Sequence, residues 1–237
     1  MMMRKKTTAL VAMLIAALLA GCASLDVVGR QSVTSFDAVL QAIPAQVAAD
    51  ETNGGFALTA PDGAVRLIWS EDYSQSPLHD VMLELDAQPF LDAGLAPEKL
   101  PADYIFYEGE ATGAMAGPLL MVGVKLGSDA LRYSGEATPL AAYEQIVSRY
   151  RQSINFHTAL DHFGVLLGDG NMFEWAKDLS TNSATNEAQD KDIVYVLNPE
   201  PLIAAGVDPE KLAGWVYAQV PTDDGDVWKF LKPFDLK

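Results

Sequence analysis

The chain writes one eleven-residue phrase twice. Phe90 to Leu100 reads FLDAGLAPEKL, and Leu202 to Leu212 reads LIAAGVDPEKL. Extended backwards without gaps, residues 80–100 and 192–212 are identical at nine of 21 positions, and most other pairs exchange one apolar residue for another. Further upstream the offset shortens while the order of matches holds. Trp69 and Asp72 fall on Trp175 and Asp178, Asp62-Gly63 on Asp169-Gly170, and Phe56 on Phe163. Phe36, Val39 and Leu40 fall on Tyr143, Ile146 and Val147. Several blocks in one order describe a tandem duplication, with units at 32–135 and 136–237. A unit of about 100 residues has the size of a small domain, and two such units can share one core or pack side by side.

Each unit predicts the order α-β-β-β-α-β-β. In the second, Thr138 is placed to cap a helix with Pro139 in its first turn, and Leu140, Tyr143, Ile146, Val147 and Tyr150 recur at helical spacing. The counterpart helix is expected to start near Thr34 or Ser35 and to end at Pro44. Two apolar runs follow, 55–60 with 64–69 and 162–167 with 171–175, each pair split by an Asp-Gly that favours a two-residue hairpin turn. A polar loop leads to a strand at 81–85 or 193–197. Next comes a helical turn closed by Gly94 or Gly206, then a second turn opened by Pro97 or Pro209, with Asp208 as a cap. Strands at 103–107 and 118–126, matched by 215–220 and 227–231, complete the unit. The fold class is α+β: two tandem pseudo-repeats, each with a mainly antiparallel sheet and helices on one face. In the repeated phrase every shared residue has a folding task. Gly reverses the backbone, Pro fixes the next φ, Glu favours the positive end of a turn and Leu anchors the core. The phrase therefore reads as scaffold rather than active site.

The N-terminus carries a different message. Arg4, Lys5 and Lys6 precede an apolar stretch from Thr7 to Leu18 that is short for a membrane span. It ends in Leu19-Ala20-Gly21-Cys22. The whole segment resembles the signal peptide and lipobox of bacterial lipoproteins. That resemblance covers residues 1–22 only, and the rest of the chain resembles no family of known activity. It implies cleavage between Gly21 and Cys22, a diacylglycerol thioether on Cys22, further acylation with palmitate-type chains, and a short tether at 22–31. Cys22 is the only cysteine of the chain, so the remainder has no disulfide, thiolate metal site or cysteine nucleophile. Ala23 and Ser24 follow it in place of the aspartate that commonly holds lipoproteins at an inner membrane. The implied location is a bacterial cell membrane or outer membrane, with the body facing periplasm or exterior. The chain has 32 acidic and 16 basic residues. Removing residues 1–21 takes three bases and no acid, leaving a formal charge of −19. A body so acidic is repelled by nucleic acid and by anionic lipid headgroups, since both need a cationic face. The membrane is then met through the lipid, and a protein, peptide or glycan remains as partner.

Signals for chemistry are sparse. The chain has no Gly-x-Ser-x-Gly elbow, phosphate-binding Gly-rich loop, His-Glu-x-x-His or Ser-x-x-Lys. His157 and His162 are five apart, the wrong spacing for two ligands on one helix face, whereas His157 and Asp161 have i, i+4 spacing. Residues 178–192 fail as a calcium loop at both demanding positions, with Ser183 for glycine and Gln189 for glutamate. No cofactor, metal or catalytic residue is implied. Loop 176–192 exceeds its counterpart 70–80 by six residues, and such differences are where duplicated units diverge. Tyr104 and Phe106, matched by Trp215 and Tyr217, lie on alternate strand positions and make a candidate binding surface. The expected function is a non-catalytic, lipid-anchored binding module, its site in the groove between units beside the unequal loops. The alternatives are an envelope hydrolase that brings Asp72 and Asp178 together, or a purely structural envelope protein.

Overall fold

The computed structural model describes residues 25–51, 54–70, 80–109, 115, 117–126, 137–179, 191–222 and 224–236. The first unit opens with helix α1, Val27–Ala42. Asp26 caps it by accepting from the Gly29 N–H at 2.6 Å, eight residues before the predicted start. The helix ends at Ala42, and Pro44–Gln46 forms a 3₁₀ turn. Strands β1 (Val47–Asp50), β2 (Gly55–Thr59), β3 (Val65–Ser70) and β4 (Val81–Asp86) follow, then helix α2 (Gln88–Asp92) and strands β5 (Tyr104–Tyr107) and β6 (Leu119–Val124). The second unit repeats this with helix α3 (Pro139–Arg149), strands β7 (Ile154–His157), β8 (His162–Leu166), β9 (Met172–Ala176) and β10 (Ile193–Leu197), helix α4 (Pro199–Ala204), and strands β11 (Val216–Thr222) and β12 (Gly225–Phe234).

Each unit thus has one strand more than the predicted α-β-β-β-α-β-β, since β1 and β7 pair with the hairpins that follow them. The two six-stranded sheets are wholly antiparallel and have one topology, β1-β2-β3-β4-β6-β5 and β7-β8-β9-β10-β12-β11. The Asp-Gly turns are wider than two residues. The Ala60 N–H donates to Val65 O, closing a loop over 61–64, and the Leu167 N–H donates to Asn171 O, closing one over 168–170. Pro61 takes a place in the first loop, while Asp169 and Gly170 both adopt positive φ in the second.

The units share one core. Buried residues from both sheets and both long helices form a single cluster. At its centre stand the aromatic pairs that revealed the duplication. Phe36 lies 4.2 Å from Tyr143, 5.6 Å from Trp69 and 5.2 Å from Trp175 by ring centroids. Phe56 and Phe163 flank the two indoles. The helices are exchanged: α1 packs on β7 and β9 of the second sheet, and α3 on β2 and β3 of the first. Hydrogen bonds fix the exchange. Ser35 Oγ lies 3.1 Å from Ala176 O and 3.0 Å from Lys177 O, and Trp69 Nε1 donates to Pro139 O at 3.0 Å. The Ser32 and Tyr143 hydroxyls bond each other between the helices, and burial holds the Tyr143 phenol well above its ordinary pKa.

The symmetry is imperfect at the indoles, because buried Trp175 Nε1 has no hydrogen-bond partner among the described residues. Replacing Trp69 by Phe forfeits the bond to Pro139 O, whereas the same change at Trp175 forfeits none among the described residues. Trp69→Phe is expected to cost about 1 kcal/mol more than Trp175→Phe in urea unfolding. Equal costs would contradict the bond.

The repeated phrase supplies a second junction. The Ala96 N–H donates to Ala205 O, and the Asp208 N–H donates to Ala93 O, both at 2.8 Å. Ala93 corresponds to Ala205 and Ala96 to Asp208, so the two bonds are images of each other about a pseudo-twofold axis. Gly94 (φ +105°) and Gly206 (φ +108°) face each other on this axis. A Cβ on Gly94 would lie 2.8 Å from Gly206 O, and one on Gly206 would lie 2.6 Å from Gly94 O. The phrase is written twice because its two copies are each other's partner.

The outer sheet faces carry smaller clusters, Ala57, Ile68, Met82 and Met121 on the first sheet and Val194, Val196, Val220 and Leu231 on the second. On the first, Arg66 and Glu84 form a buried pair at 2.5 Å. Burial raises the Glu84 pKa, with Arg66 opposing and Asp50 adding to the rise. Arg66→Met is expected to cost about 3 kcal/mol at neutral pH, since it leaves a buried carboxylate unpaired. The unfolded chain ionises with a lower pKa than the folded one, so the penalty exists above the raised pKa. It declines as pH falls through that value towards the ordinary 4.5. Denaturant melts across this range measure it, and a pH-independent deficit would refute the account.

Candidate functional site

Helix α1 has two unlike faces. Phe36 and Val39 are fully buried, with Gly29, Ser32 and Ser35 packed beside them. Val27, Arg30, Gln31, Thr34 and Ala38 recur at intervals of three and four and stay exposed. This outer face forms one wall of a groove of about 540 Å³, whose opposite wall is Lys177, Asp178 and Leu179 at the end of β9. The Ser35 bonds to Ala176 and Lys177 tie the walls together, and one wall comes from each unit.

The charges around the groove are arranged in pairs. Asp26 at the helix start accepts the Gly29 N–H and faces Arg151 Nε at 3.0 Å, and these two contacts lower its pKa. Arg30 donates from Nη1 to Leu25 O. Lys177 Nζ is 3.5 Å from Asp161 and 5.4 Å from the centroid of Phe156. The groove therefore offers one cation on each wall, Arg30 and Lys177, one carboxylate, and the apolar surfaces of Val27, Ala38 and Leu179. It can hold an amphiphile or a short segment of mixed character.

The four aromatics singled out in the sequence lie elsewhere. Tyr104 is buried, and its hydroxyl donates to Asp169 at 3.2 Å across the units, with burial raising its pKa. Phe106 is half-buried against the core. Trp215 packs on Phe90 at 5.7 Å under the Lys232 ammonium. Lys232 in turn meets Asp62 of the first unit at 2.6 Å. Tyr217 stacks on Trp228 at 4.5 Å, and Trp228 is 48% exposed. Tyr104 and Trp215 thus stand at junctions where the turn of one unit meets the sheet of the other. Only Tyr217 leads to open surface.

Asp178 sits on the rim of the groove, whereas Asp72, Gly21, Cys22 and residues 180–190 lie outside the described residues. His157 and His162 stand on no helix. They are directly opposed on the β7–β8 hairpin, and Asp161, in the turn with φ +54°, pairs with Lys177 instead. His157 Nε2 donates to Pro221 O at 2.8 Å, which brings together β7 and β11, opposite edges of the strand order. The second sheet therefore curls on itself. Among the described residues no group of three His, Cys, Asp or Glu is placed to hold a metal ion, and no helix is long and apolar enough to cross a membrane.

Arg30, Thr34 and Lys177 are groove residues that the sequence reading passed over. For Arg30 and Thr34 the signal is the exposed i, i+3, i+7 row on α1, which a helix starting near Thr34 does not contain; Lys177, at the end of β9, carries no such pattern. In comparisons with known proteins, no family model, curated protein or solved structure matches the chain.

Proposed function

We propose that this chain is a lipid-anchored protein of the bacterial cell envelope, held by an acylated Cys22, whose body binds a ligand or partner and transforms none. The observation that carries this reading is the ordered set of basic head, apolar run and Leu-Ala-Gly-Cys, ending on the only cysteine of the chain. Two or three acyl chains give stable anchoring where one gives marginal binding. The groove between α1 and the end of β9 supports the binding role. It is formed jointly by the two units, on the side of the body where the tether enters, beside the loop that lengthens the second unit.

The test is direct. Cells expressing the chain and fed labelled palmitate are expected to label it, and it should remain with membranes in high salt. Cys22→Ser should abolish both the label and the cleavage before residue 22. A Cys22→Ser chain that still carries palmitate would end this reading. For the binding role, recovery from detergent-solubilised membranes should bring down a consistent companion, and repeated recovery of the chain alone would count against it.

A further inference from the structure

We propose that the α1 groove faces the bilayer and holds a phospholipid, with the phosphate between Arg30 and Lys177 and an acyl chain along Val27, Ala38 and Leu179. The inference rests on the anchored reading for one thing only, the direction in which the body faces.

Three observations lead here. The first is reach. Val27 stands five positions after Cys22, a span of at most about 18 Å even when fully extended. The first turn of α1 is therefore held near the headgroups, with Val27, Arg30 and Gln31 on its outer side. The second is charge. The body after Gly21 has a formal charge of −19, and a surface of that sign is pushed from phosphate-bearing membranes. The groove is an exception. Arg30, Arg151 and Lys177 stand there against Asp26, Asp161 and Asp178, so this end is locally neutral and can approach a bilayer.

The third is shape and valence. The α1 wall spans residues 27–38, about 16 Å of helix at 1.5 Å per residue, which suits an extended acyl chain better than a compact polar ligand. Val27 at the tether end is 60% exposed, an apolar side chain in water on a helix's first turn. The bases keep donors to spare. Arg30 uses Nη1 on Leu25 O, and Lys177 makes, among the described residues, a 3.5 Å contact with a well-exposed carboxylate and a 5.4 Å approach to the Phe156 ring. A phosphate offers each a charge-assisted bond stronger than those.

The experiment uses the full chain in its membranes, with a phospholipid bearing a photoactivatable group in its acyl tail, supplied in phosphatidylglycerol and phosphatidylethanolamine forms. After illumination the adducts are mapped by peptide mass, and acylation of Cys22 is read on the same sample. Adducts are expected to concentrate on peptides holding residues 27–38 and 177–179. The double variant Arg30→Glu, Lys177→Glu should reduce them about tenfold, in line with the attraction of each base near a membrane surface. Its thermal midpoint should match the parent's, because both side chains are exposed. Adducts spread evenly over the body, or unchanged in the variant, would overturn the proposal. Cys22 acylated with α1 unlabelled sinks the groove and spares the anchor. Cys22 bare with α1 labelled sinks the anchor and spares the groove.

Discussion

Cut anywhere within residues 127–136, the chain is expected to yield two fragments of which neither folds as a monomer. Each unit has a complete six-stranded sheet, and by strand count each resembles a free-standing domain. The exchanged helices decide otherwise. Without the second unit, α1 loses β7 and β9, and the first sheet loses α3 from β2 and β3. Phe36, Trp69, Phe56 and Leu58, all buried, then face water. Exposing a large apolar side chain costs about 1.5–3 kcal/mol, and a whole domain is stable by about 5–15 kcal/mol. A handful of such exposures removes the entire margin. Mixed in equal amounts, the fragments should recover the dispersed amide spectrum of the intact protein as a one-to-one complex. A fragment that is monomeric, folded and cooperative alone would show that the shared core is dispensable.

Gly206→Ala is expected to destabilise the protein by about 4 kcal/mol, a large value for the addition of one methyl group. Two terms add. A residue with a Cβ is strained at φ +108°, at about 1–2 kcal/mol. The Cβ must also find room where Gly94 O lies 2.6 Å away, which forces apart the twin bonds between Ala96 and Ala205 and between Asp208 and Ala93. Gly225 separates the terms. It has φ +116° but nothing within 4 Å of a would-be Cβ, so Gly225→Ala should show the strain alone, about 1–2 kcal/mol. Chemical denaturation of the three proteins reads the difference. Equal losses at both glycines would mean that the close approach on the axis carries no weight.

Much of this architecture was legible because core residues repeat more faithfully than surfaces. Phe36 and Tyr143, Trp69 and Trp175, and Phe56 and Phe163 aligned in sequence, and they meet in one cluster. The caps at Thr138 and Asp208 were local signals and stand where expected. Strands β1 and β7 escaped notice for a local reason too. VAAD and INFH are four-residue edge segments after a 3₁₀ turn; VAAD does not alternate, and INFH alternates over too few residues to stand out. The start of α1 escaped because its cap, Asp26, sits close behind the signal segment. The helix exchange has no sequence signature, since the apolar stripe that packs on one's own sheet is the stripe that packs on a neighbour's. The groove shared this fate, for its walls lie some 140 residues apart, as the Ser35 bond to Ala176 spans 141 positions. Tyr104 and Trp215 correspond roughly in sequence, yet their chemistry is set by Asp169 and Lys232 arriving from elsewhere in the chain.

The exchange of helices also orders events in time. As the chain emerges from its N-terminus, α1 precedes the other described helices and finds its seat only when β7 and β9 exist, more than a hundred residues later. Such distant pairings slow folding because loop entropy is spent before contacts repay it. The opening third of the molecule must wait, loosely held, for its closing half to arrive.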